Sequence, residues 1–147
     1  MSRMNLGAVL GLCLVLTFAC AKPPIGSKID MQKLDWCTVS GLPHTCVYRN
    51  DQTPFYLTLA LAKGETEGAY RAAGTCDFAK GGGQAAGHGR EVVADILLIV
   101  AKHGEIVDSV SFKLEANDAS PDVPFTVQFH CPHGFDAVTF YAEVTKK

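Results

Sequence analysis

The sequence predicts an all-β fold, an antiparallel β-sandwich tied by two disulfides. Three observations lead there. Short runs of alternating apolar and polar residues recur along the chain, separated by clusters of Gly, Pro, Asn and Asp. Six cysteines are present, and four of them follow an apolar leader that reads as an export signal. The 147 residues, 48% hydrophobic and 19% charged, suit one globular domain rather than a disordered chain or a coiled coil.

The leader comes first. Arg3 is the only charge before Lys22, and the chain runs apolar from Leu6 to Ala19. A basic start, an apolar stretch of about 7–15 residues and a small-residue exit mark a signal peptide. Residues 1–21 fit it, with cleavage after Ala19-Cys20-Ala21. The apolar run falls short of the roughly 20 residues that a membrane span needs. The expected location is secreted and extracellular, with no transmembrane span after the signal is removed. Thr17-Phe18-Ala19-Cys20 also resembles a bacterial lipobox, although Thr17 stands where that motif has an aliphatic residue. The resemblance implies a lipoprotein anchored through Cys20 in a bacterial envelope.

Removing 21 of the 147 residues leaves 126, and takes Arg3, Cys13 and Cys20 with it. The remainder carries 12 basic and 15 acidic residues, a balance of -3. No basic stripe for nucleic acid is present. An even set of four cysteines in an exported chain implies two disulfides among Cys37, Cys46, Cys76 and Cys131. Three pairings are open. Cys37–Cys46 with Cys76–Cys131 is favoured, because Gly41 and Pro43 let the first loop turn back. The second loop is long, so the chain-entropy model assigns it about 4 kcal/mol.

Residues 22–35 lack periodicity and read as an N-terminal arm. Residues 36–147 read as a single β-rich domain. Trp36, beside Cys37, is expected to pack in the core. His44 to Arg49 and Phe55 to Ala62 form a strand pair around the turn cluster 50–54, with Leu57, Leu59 and Leu61 on the core face. A polar loop from Lys63 to Gly68 leads to a strand from Ala69 to Phe78. Gly81 to Gly89 holds five glycines in nine residues, which predicts a mobile surface loop. Residues 90–103 fit either a strand or a helix. Five Val or Ile residues between Val92 and Val100 favour the strand, with His103-Gly104 as a hairpin turn. A helix there would make the fold α+β. Val110, Phe112 and Leu114 alternate, then Phe125, Val127 and Phe129, then Val138, Phe140 and Ala142. These three runs predict an antiparallel meander, with a loop from Asn117 to Pro124 between the first two.

Few motifs carry chemistry. Gly81-Gly82-Gly83-Gln84-Ala85-Ala86 matches G-x-G-x-x-A in letters, but no helix opens within it. His88-Gly89 stands where a Walker loop requires Lys-Ser/Thr. No serine lies in a G-x-S-x-G turn, and no N-x-S/T site occurs. Gly41-Leu42-Pro43-His44 and Phe129-His130-Cys131-Pro132-His133 resemble the ligand segments of cupredoxins, small copper-binding β-sandwiches. The resemblance covers about a dozen residues. It implies a copper or zinc site at His44, His130 and His133. One residue separates Cys131 from His133, tighter than that family's spacing, and no methionine follows.

The expected function is therefore a secreted, disulfide-stabilised binding module without a catalytic constellation or a cofactor. Its ligand is a protein, a lipid or a glycan. The expected contact loops carry Gly81, Gly82, Gly83 and His88 in one, and Asp118 and Asp122 in the other. A lipid ligand requires an apolar cavity between the sheets.

Overall fold

Leu57, Leu59 and Leu61 alternate along strand β3 (Phe55–Lys63), and all three side chains are fully buried. The period-2 pattern thus places its leucine face inward, as alternation requires. The computed structural model describes residues 22–50, 55–78, 91–117 and 119–146. The other strands are β1 (Cys37–Thr38), β2 (His44–Asn50), β4 (Ala69–Asp77), β5 (Val92–Lys102), β6 (Glu105–Ala116), β7 (Asp122–His130) and β8 (Ala137–Lys146). The described residues are all-β apart from a 3-10 turn at Met31–Lys33.

Two four-stranded antiparallel sheets form, in the orders β1-β8-β5-β6 and β2-β3-β4-β7. One apolar core joins them. It packs Leu57, Leu59, Leu61 and Phe125 of the second sheet against Ile96, Leu98, Val100 and Phe140 of the first. Aromatic contacts cross the interface. The rings of Phe112 and Phe125 stack at 5.4 Å, and Tyr48 meets Phe140 edge-on at 5.2 Å.

The segment that fits strand or helix is strand β5. It is buried on both faces, with only Asp95 and Lys102 half-exposed. Its inner face lines the sandwich core. Its outer face holds Leu97 and Ile99, which cluster with Ile106 under Ile29 and Trp36. These two residues come from the N-terminal arm, which crosses the outside of the first sheet. The Gly26 N–H donates to the Ile106 carbonyl, and the Ile29 N–H donates to the Gly104 carbonyl. The arm then leaves β6, crosses the sheet and becomes β1 beside β8, with Cys37 opposite Val138. A strand covered on both sides needs apolar residues in both phases, so the usual alternation is lost. His103 and Gly104 close the β5–β6 hairpin with φ of 52° and 79°, the left-handed pair of a tight two-residue turn.

Three expectations are corrected. The last three strands are not a meander: β7 crosses to pair with β4, and β8 returns to lie between β1 and β5. The loop after β6 is shorter than expected, because β7 begins at Asp122 and contains Pro124. Proline is tolerated there because β7 is a sheet edge. Finally, among the described residues only Cys37–Cys46 is bridged, with Cα atoms 6.1 Å apart, while Cys76 and Cys131 are free thiols. Cys76 pairs with Val123 at one end of β4, and Cys131 follows His130, which pairs with Ala69 at the other end. Eight residues of strand separate the two levels, about 25 Å. A disulfide needs Cα atoms within about 7 Å.

Candidate functional site

The two sides of the sandwich differ. On one side β6 and β7 come together, where Asp108 accepts hydrogen bonds from the N–H groups of Ser109 and His130 at 2.8 and 2.7 Å. On the other side lie the edge strands β1 and β2. β1 is two residues long, whereas β2 runs seven residues in unbroken register with β3. Every second residue of β2 therefore points its backbone N–H and C=O away from its sheet.

Two links hold this open side together. One is the Cys37–Cys46 disulfide, which ties β1 of one sheet to β2 of the other. The second is the Tyr48 hydroxyl, which donates to the Val138 carbonyl across the core. Burial pushes that hydroxyl's pKa well above its ordinary value, so it remains a donor.

Between these links and the arm lies an open groove of about 840 Å³, lined by Leu34–Cys37, Thr45–Tyr48 and Tyr56. Leu34, Trp36, Val47 and the two tyrosines supply its apolar and aromatic surface, and polar groups make up about half of the lining. Val47 is 55% exposed, one of two large apolar side chains so exposed among the described residues. The Trp36 indole Nε1 is buried with no hydrogen-bond acceptor. A buried N–H left unpaired costs about 1–3 kcal/mol. Asp35 adds a carboxylate at the rim, and its backbone carbonyl accepts from the Thr139 hydroxyl at 2.6 Å.

The residues expected to carry function are spread widely. Cys37, Cys46 and His44 lie together: their ligand atoms are all within 4.8 Å of one another, and no other such group of three occurs among the described residues. His130 and His133 do not join them. His44 is on β2 and His130 on β7, the opposite edges of one sheet. Three inter-strand spacings, about 14 Å, separate these edges. The cupredoxin-like set of His44, His130 and His133 is therefore not assembled. His130 and His133 are both exposed. Gly81, Gly82, Gly83, His88 and Asp118 lie outside the described residues. Asp122 is exposed at the start of β7, opposite Asp77 of β4.

The two free thiols are poor candidates for chemistry. Cys76 and Cys131 are almost fully buried. Burial, then the carboxylates of Asp77 and Asp122 beside one and of Asp108 beside the other, push both pKa values up to about 12. Both stay protonated near neutral pH and unreactive.

Sequence reasoning missed the groove. Its lining draws on two stretches, 34–37 and 45–48, which become neighbours only when β1 and β2 reach the same side of the sandwich. The adjacency of Trp36 and Cys37 was the one visible signal. No helix among the described residues is long and apolar enough to cross a membrane. Comparison with family models, with curated proteins and with solved structures finds no match.

Proposed function

We propose that this chain is an exported binding module that takes an extended segment of a partner protein in the groove on its open side. The observation that carries this reading is the groove itself. It brings the free edge of strand β2 and an aromatic lining to one place among the described residues. An extended peptide satisfies both. Its backbone pairs with β2, and alternate side chains meet the aromatic and aliphatic lining. A lipid suits the site less well, because aromatic and aliphatic side chains from both sheets occupy the space between them. A glycan would use the aromatic faces but not the strand edge.

Export through residues 1–21 belongs to the same proposal. The Cys37–Cys46 bridge supports it, since disulfides persist in oxidising compartments. Anchoring through Cys20 is the form this takes if the lipobox-like segment is read in a bacterium.

Selection from a displayed library of extended heptapeptides tests the groove. The expected peptides alternate apolar and polar residues. Their affinity falls about tenfold in Trp36→Leu, which removes the aromatic ring from the lining. Val47→Lys places a charge on the strand edge and weakens them further. Selected peptides that bind both variants as well as the parent would remove the groove from the proposal.

A further inference from the structure

The closest gathering of soft ligand atoms in the described chain lies at one end of this groove, and peptide binding makes no use of it. We propose that Cys37 and Cys46, in their dithiol form, join His44 to make a binding site for a thiophilic d10 cation, zinc(II) or copper(I).

The geometry is set by the strands. His44 and Cys46 are two residues apart on β2, so their side chains leave the same face. Their partners on β3 are Leu61 and Leu59, both fully buried, which fixes the register of this end of the strand. Cys37 arrives from the other sheet, held opposite Val138 of β8. The Sγ atoms and an imidazole nitrogen already lie within 4.8 Å of one another. Around zinc, donors at about 2.0–2.3 Å stand roughly 3.5 Å apart. The Cα atoms of Cys37 and Cys46, 6.1 Å apart, leave room for the two sulfurs to part that far by side-chain rotation. Two thiolates and an imidazole are a ligand set that zinc and copper(I) favour over harder cations. His44 and Cys37 are only half-buried, so a fourth position faces solvent and can take water.

The bridged and metal-bound forms exclude each other, because a sulfur in the disulfide offers no thiolate. Conversion needs a dithiol reductant. It gives two electrons and two protons to the Cys37–Cys46 bond, which breaks into two thiols as the reductant closes its own disulfide. Attack on a sulfur requires access, and half-buried Cys37 provides it. The incoming cation then displaces both thiol protons to solvent. This set shares only His44 with the histidines singled out by the cupredoxin-like segments, and it stands or falls independently of peptide binding.

The test is titration of the purified protein before and after reduction by a phosphine, with cobalt(II) as the optical substitute for zinc(II). The reduced protein is expected to bind one equivalent of zinc(II) or copper(I), and cobalt(II) is expected to show thiolate-to-metal charge transfer. The oxidised protein is expected to bind neither. His44→Ala, an edge position whose side chain is half-exposed, is expected to weaken binding at least tenfold with the fold intact. Circular dichroism follows the fold throughout. A reduced protein that stays folded and binds neither cation at one equivalent overturns the proposal. So does binding unchanged in His44→Ala, or unfolding on reduction that zinc(II) does not reverse.

Discussion

Trp36 combines close packing with an unmet polar group. Its ring covers Leu97 and Ile99 while its buried N–H finds no partner. Trp36→Phe keeps a ring and removes the unpaired donor, so it is expected to cost little stability in denaturant unfolding. Gly74 is constrained in the opposite sense. A Cβ there would meet the backbone carbonyl oxygen of Thr58 on the adjacent strand, far inside contact distance. Gly74→Ala is expected to cost about 1–3 kcal/mol in denaturant unfolding, as overpacking does. Asp122 carries a different tension. Desolvation, followed by the charge of Asp77 and the hydrogen bond shared with it, raises its carboxyl pKa above the ordinary value. A carboxyl raised on folding favours the folded state in acid. That contribution is lost as pH rises through the raised value. Asp122→Asn is therefore expected to raise the melting temperature at neutral pH, with the gain shrinking as the solution is acidified.

Among the elements, β5 was legible as a strand from its β-branched residues, but its double burial was not. Periodicity reports one buried face. The second face of β5 is covered by Ile29 and Trp36, which reach it through a segment with no period of its own. The pairing of that arm with Glu105 and Ile106 depends on backbone groups, which leave no mark on residue type. Ile29→Ala is expected to lower unfolding stability by about 1–2 kcal/mol, since it strips a half-buried side chain from the outer cluster. The far-UV spectrum should stay unchanged, because the sheet hydrogen bonds do not depend on that side chain. The bulge at Val100/Ala101 was equally invisible. It inserts Val107 into β6, and Val107 is apolar like its neighbour Ile106, so the extra residue breaks no pattern.

For the whole molecule, alternation and turn residues were enough to predict two antiparallel sheets and most strand limits. Strand order was not predictable, because β7 and β8 have similar alternation yet join different sheets. The cysteine arithmetic was half right for the same reason. Cys37 and Cys46 are close in sequence, and a short loop brings them together. Pairing Cys76 with Cys131 required a register between β4 and β7 that residue types do not encode. The groove belongs to this scale too. It exists because one side of the sandwich is closed by β6 and β7 while the other ends in a two-residue strand and an uncapped seven-residue one.

The disulfide on that open side also governs how the molecule extends under load. A pull on residue 22 peels the arm from the first sheet one contact at a time and reaches Cys37. There the tension passes through the sulfur–sulfur bond to β2 of the other sheet, bypassing the chain between Cys37 and Cys46. That enclosed segment, with a sequence separation of nine, adds no length while the bond is intact. In single-molecule stretching, the fully extended chain is expected to gain about 25 Å when the bond is reduced, from roughly 3.3–3.6 Å per residue less the 6.1 Å that the bridge already spans. An equal contour length in both redox states would mean that the bond carries no load.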